Sequence, residues 1–231
     1  FGPITNCYYL ADTEDENGGK TAAQFASGEI AYLLSQGCST GEGDATVTYD
    51  GSIWGQTIGT DTYPVLRGAK VYKNITYLGC NASSDVVSVA YSNEDKTTYG
   101  DHDYIDGMCK YCDEEALASV ASGEIITYYP SLQDAIDYAE NIPGSVVAVM
   151  ADTGYKTFYV NNPDSDFTID INGNNVGGVT VNNGKIIIID SKANGDMQGR
   201  LVVNSESIVT LGDVKISGYT EVYGQLMLNG G

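Results

Sequence analysis

Phe167-Thr-Ile-Asp-Ile-Asn-Gly173, Val179-Thr-Val-Asn-Asn-Gly184 and Lys185-Ile-Ile-Ile-Ile-Asp190 are consecutive β-type runs, each closed by Asn, Asp or Gly. A similar run, 157–162, precedes them, and 201–204, 208–213 and 225–231 follow. Apolar residues alternate as Phe167/Ile169/Ile171, Ile187/Ile189, Val209/Leu211 and Leu226/Leu228, the period of a strand with one buried face. Equivalent positions return every 17 to 22 residues. That is the length of one coil of a parallel β-helix, whose coils bury their apolar faces only by stacking. Asn and Gly tolerate the left-handed backbone that tight corners require. No proline follows Pro163, which suits fully paired strands. A β-sandwich is the rival, because Asn172-Gly173 and Asn183-Gly184 are hairpin-type dipeptides. The repeat spacing favours the solenoid.

Upstream, Ser131 is an N-cap for a helix over 132–140. Its stripe of Leu132, Ala135, Ile136 and Ala139 is expected to cap the first coil, and 145–150 reads as the first strand. Residues 1–95 read as a small α+β module. Its capping box is Thr21-Ala-Ala-Gln24, and a helix follows over 27–37 with Ile30, Leu33 and Leu34 inward. Short strands are expected near 45–49, 52–58, 64–66 and 70–76. Residues 96–115 are polar, and 96–128 read as a Cys/His knuckle and linker. The expected fold is mainly β: a right-handed parallel β-helix over 129–231 with an N-terminal capping helix. The abrupt start and the end at Gly231 read as cuts in a longer protein.

The chain carries 31 acids against 11 bases, a net charge of −20, so nucleic acid and anionic membranes are poor partners. The charge is uneven: residues 1–150 hold 22 acids and 6 bases, the remainder 9 and 5. No apolar stretch is long enough for a membrane-spanning helix, and the chain reads as not membrane-embedded. Tyrosine is abundant, 18 against 4 Phe and 1 Trp, and suits either strands or half-wet contact surfaces.

The strongest site signal is Cys80, His102, Cys109 and Cys112. Thiolate and imidazole are preferred ligands of structural Zn2+, and Cys-x-x-Cys lets one tight turn supply two tetrahedral positions. A disulfide is the competing reading, and a redox pair is disfavoured by the lack of a βαβ context. Five cysteines are odd in number, so at least one stays outside intrachain disulfides. Ligand-binding residues beyond this set are not marked. Trp54 reads either as a sugar-stacking platform or as a core anchor. No catalytic residues are assigned: the carboxylates of the strand region are scattered, and the only His lies beside the knuckle.

Two stretches carry a resemblance. Ser27-Gly-Glu-Ile-Ala-Tyr-Leu-Leu34, Trp54-Gly-Gln-Thr-Ile-Gly-Thr-Asp61, Tyr63-Pro-Val-Leu66 and Val71-Tyr72 resemble a module of large surface proteins of gut Firmicutes. Tyr129-Pro-Ser-Leu-Gln-Asp-Ala-Ile-Asp-Tyr-Ala139, 146–152 and 167–173 resemble the opening of pectin-lyase-like β-helices in such proteins. The stretch 102–112 also resembles a Cys-x-x-Cys knuckle that recurs there. The resemblance implies a secreted, cell-surface, adhesin-type protein. Its function would be non-catalytic binding or display against host glycoprotein, mucin glycan or immunoglobulin. A polysaccharide-active lyase or glycosidase fragment and a purely structural stalk are the alternatives.

Overall fold

A computed structural model describes residues 7–16, 18–40 and 47–229. The chain divides into two compact units, Phe1–Asp101 and His102–Gly231.

In the first unit the expected helical region is two helices, Ala22–Ser27 and Glu29–Ser35. The capping box at Thr21 forms as expected, with Gln24 N–H donating to Thr21 Oγ1 at 3.3 Å. The break falls at Gly28, whose φ of +91° and approach to Ile58 leave no room for a Cβ. Ile30 and Ala31 are buried, whereas Leu33 and Leu34 are only half-buried. Short antiparallel pairs follow: Cys38–Thr40 with Val47–Tyr49, Trp54–Gly55 with Val65–Leu66, and Tyr72–Tyr77 with Val86–Ser92. The strand expected near 45–49 begins outside the described residues. Among the described residues of this unit the buried apolar core is small, comprising Phe25, Ile30, Ala31 and Val71. Polar clasps supplement it. Buried Gln56 donates to the carbonyls of Phe25 (2.9 Å) and Asp61 (2.8 Å), and Asn93 donates to those of Gln56 (2.7 Å) and Lys70 (2.9 Å).

The second unit contains a parallel β-solenoid of about four turns. One stack runs Val146–Val149, Asp166–Asp170, 185–189, 208–211 and Gln225–Leu228, every contact parallel. A second runs Thr157–Val160, 178–181, 201–203 and Thr220–Val222. A third, shorter stack joins Asn175–Val176, Asp196–Met197 and Lys215–Ile216. Partners such as Ile208↔Gln225 and Lys185↔Ile208 are 17 and 23 residues apart, bracketing the expected coil length. The sandwich is excluded: Asn183-Gly184 makes no hairpin but lies inside the continuous strand Gly178–Ile189, with Gly184 at φ +87°. A Cβ at Gly184 would lie 2.7 Å from Ser165 Cβ, so the next coil packs directly on its backbone.

The core follows the alternation with two corrections. Phe167, Ile169, Ile171, Val209 and Leu211 are buried as expected. In the four-isoleucine run, however, Ile186 and Ile188 point inward while Ile187 is 42% exposed. Four identical residues carry no alternation of their own; register with Phe167 and Val209 sets the phase. The expected pair Leu226/Leu228 is also less enclosed, with Leu228 at 74% exposure. The helix Leu132–Ala139 starts at the expected N-cap, Asp134 N–H donating to Ser131 Oγ at 3.1 Å, and its four-residue stripe is fully buried in the same core. Antiparallel strands Ala118–Ser122 and Ile125–Tyr129 extend the sheet beyond Val146–Val149.

Carboxylates and amides at the corners satisfy backbone donors. Asp190, 5% exposed, accepts from the N–H groups of Gly173 (2.7 Å), Lys192 (3.2 Å) and Gly195 (2.6 Å). Burial pushes its carboxyl up, but these N–H groups outweigh it and hold the group below the usual carboxylate value. On the outside, Asn204 donates to Asn182 (2.6 Å) and Asn182 to Asn161 (2.7 Å), a side-chain ladder crossing three coils. Replacing Asp190 by Asn is expected to cost about 2 kcal/mol at neutral pH, since it removes a buried charged acceptor from three backbone donors. A group with a lowered folded pKa contributes its full stability above the unfolded value, near pH ~4, and loses it as pH falls toward the folded value. Chemical denaturation at stepped pH should therefore show the wild-type advantage over Asp190→Asn shrinking below about pH 4. A pH-independent difference would contradict this role.

Candidate metal centre

The second unit opens on the knuckle. Strands Tyr104–Ile105 and Met108–Cys109 pair as a hairpin across Asp106-Gly107. Both turn residues have positive φ, +51° and +86°, the type I′ geometry that matches strand twist and favours Asp-Gly. The chain then turns through Lys110 and Tyr111, with Asp113 N–H donating to the Cys109 carbonyl at 3.0 Å. The hairpin therefore places Cys109 at the start of the tight turn that returns Cys112.

Cys80, His102, Cys109 and Cys112 are brought together: one donor atom from each lies within 4.8 Å of the others. Cys109 is fully buried and the other three are half-buried. Cys112 Sγ and His102 Nδ1 are 3.5 Å apart. Bonds of about 2.3 Å to sulfur and 2.0–2.1 Å to nitrogen, at the tetrahedral angle, require an S···N edge of about 3.5 Å and an S···S edge of about 3.8 Å. The His–Cys edge already has the required length, and the 4.8 Å bound on the others exceeds the S···S edge by about 1 Å. None of the five cysteines is disulfide-bonded.

The surroundings suit a cation bound by thiolates. Burial pushes the Cys109 thiol up, but the backbone N–H groups of Tyr111, Asp103 and Cys112 and the His102 ring outweigh it, bringing the thiol down to about 6. N–H groups converging on sulfur favour the thiolate that a metal needs. On the far side of the imidazole, His102 Nε2 lies 3.8 Å from a Glu114 carboxylate oxygen. A carboxylate on that side helps orient a ligating imidazole, which leaves Nδ1 as the metal-facing nitrogen. The His102 ring also stacks on Tyr104, centroids 5.6 Å apart at 12°. Glu114 is the one member of this set that the Cys/His spacing did not single out. Its place two residues after Cys112 becomes readable only once the turn is known.

The set offers chemistry for holding a cation rather than for turning over a substrate: all four donors converge on one point. Elsewhere in the second unit several corner carboxylates are engaged. Asp152 binds Asn175, Asp170 binds the N–H groups of Asn172 and Ser191, and Asp196 binds Lys215 and Ser217. Arg200, the arginine of the strand region, is paired with Glu221. Among the described residues no helix is long and apolar enough to cross a membrane. Comparison with family models, with curated proteins and with solved structures finds no match.

Proposed function

We propose that this chain is a non-catalytic binding and display segment of a secreted bacterial surface protein, contacting host glycoprotein, mucin glycan or immunoglobulin. The observation that carries the reading is the use of the solenoid's corner carboxylates. Asp152, Asp170, Asp190 and Asp196 are committed to backbone and side-chain donors that close the corners. Polysaccharide cleavage needs carboxylates or cations held free on one face for the sugar. A solenoid built this way suits a scaffold that carries contact surfaces. The resemblance of 27–72 and 129–173 to surface proteins of gut Firmicutes supplies the setting. In this reading Cys80, His102, Cys109 and Cys112 hold a structural Zn2+ with all four positions filled by protein, which leaves no open site for a substrate.

The test uses the whole chain on a glycan array, in pull-downs with immobilised immunoglobulin and mucin, and in an ultraviolet assay for unsaturated sugar products. Saturable retention on glycan, mucin or immunoglobulin without product absorbance is the expected result. Time-dependent product formation would move the chain to the lyase reading, and silence in every arm would leave only the stalk.

A further inference from the structure

The first unit contains a cleft of about 470 Å³ whose lining includes Tyr32, Trp54, Lys70, Tyr72, Lys73 and Asp95. That volume is within the range of small-molecule sites, roughly 300–1,000 Å³. The three aromatic residues are half-buried, so each combines an anchored ring with a wet edge. Tyr32 is propped by Tyr91, ring centroids 5.6 Å apart. Trp54, the sole tryptophan, is pinned by its strand pairing with Leu66.

The charges are the unusual part. In a chain of net charge −20, two lysines three residues apart line the same cleft. Two other lysines of this unit are neutralised, Lys20 by Glu14 and Lys96 by Glu94, and Arg67 lies outside the lining of the cleft. Lys70 and Lys73 are exposed and make no ion pair among the described residues. Lys70 Nζ sits 4.3 Å over the Tyr72 ring, a contact that positions the ammonium without neutralising it. The carboxylate on the lining, Asp95, accepts from the Thr97 N–H at 3.3 Å and keeps further acceptor capacity.

We infer that this cleft binds a saccharide bearing one carboxylate, a sialic or uronic acid residue. This deepens the binding function proposed above and rests on it. Aromatic faces suit the apolar faces of a sugar ring, the lysines its carboxylate and Asp95 its hydroxyls. A polyanion such as nucleic acid does not fit: two ammonium groups cannot offset its repulsion by the surrounding acids. A neutral sugar would leave both lysines without a partner.

Trp54 is the sole tryptophan and lines the cleft, so its emission responds to occupancy; it also borders two neighbouring cavities, and the lysine variants below assign the response to this cleft. The whole chain is titrated with sialyllactose, with a glucuronate-containing disaccharide and with lactose, following Trp54 fluorescence and titration calorimetry. One or both acidic sugars should shift the emission saturably, the responding sugar identifying the source of the carboxylate, and lactose should bind at least about tenfold more weakly. The double variant Lys70→Gln/Lys73→Gln should lose about tenfold or more in affinity, whereas Lys156→Gln/Lys185→Gln should bind as wild type. Equal binding of lactose, equal loss in both double variants, or no Trp54 response to either acidic sugar overturns the inference. Glycan, mucin or immunoglobulin binding that survives Lys70→Gln/Lys73→Gln unchanged would sink the cleft and spare the wider function. Failure of the chain to bind any of these would remove both.

Discussion

Cys109→Ser is expected to strip the chain of its metal. Elemental analysis of wild-type protein, purified without chelators, should find near-stoichiometric zinc, and the variant should retain only background. The physical reason is specific to this position. Cys109 is fully enclosed, and three backbone N–H groups and the His102 ring prepare its sulfur as a thiolate. A serine hydroxyl in the same place keeps its proton at neutral pH and is a poor ligand for a borderline-soft ion. Three donors remain, and the buried N–H groups lose the anion they were arranged around. Chelation of wild-type protein should reproduce part of the effect. A metal present at about 1,000 times its dissociation constant stabilises the folded state by about 4 kcal/mol, so prolonged treatment with a chelator should lower the melting temperature clearly. The same treatment should barely move Cys109→Ser. Lys110→Ser, which removes the exposed Asp103 ion pair and the contact of the ammonium with the Tyr111 ring but no sulfur or nitrogen donor, should keep its zinc. Wild-type protein that carries no zinc, and that gains none on incubation with it, would end the structural-metal reading.

The metal set was legible in advance because its chemistry is written in rare residues. One histidine and a Cys-x-x-Cys within eleven residues leave few alternatives, and Cys80 is the nearest remaining thiol. What spacing could not supply was Glu114 behind the imidazole or the N–H groups around Cys109, since both arise from the turn itself. The solenoid was legible for a different reason. Its corners need left-handed backbone or side-chain acceptors, and Asn, Asp and Gly recur there at coil spacing. The same vocabulary made Asn183-Gly184 ambiguous: glycine with positive φ serves a hairpin and an in-strand kink equally, and only the parallel partner at Ser165 distinguishes them. The phase of Ile186–Ile189 was hidden because four isoleucines satisfy either face. Hairpin Ala118–Tyr129 was missed because its outer strand shows no alternation: Ile125 and Ile126 are both exposed and the three residues after them are half-buried. The saccharide cleft was foreshadowed only by Trp54. Its lysines become notable when the structure shows which cations already have acidic partners.

Phe167→Ala should open the solenoid from inside, at a cost of about 3–5 kcal/mol. Phe167 is 2% exposed and pairs with Ile186 in the neighbouring coil, within the core shared by Val147, Ile169 and Ile188. A stacked coil touches only the coils on either side, so a void there is not shared among many elements as it would be in a globular core. Collapse around the void is also restricted, because closely packed glycines such as Gly184 already bring backbone against backbone. The loss should therefore appear locally before it appears globally. In hydrogen exchange, amides of 166–170 and 185–189 should lose protection first, with the neighbouring coils following only at higher denaturant. Met227→Ala supplies the contrast. Met227 lies in the same stack but is 48% exposed, so its removal should cost no more than about 0.5 kcal/mol. If Phe167→Ala were as stable as Met227→Ala, or lost protection evenly across all coils, the inward stacking of the Phe167 register would not be what holds the coils together.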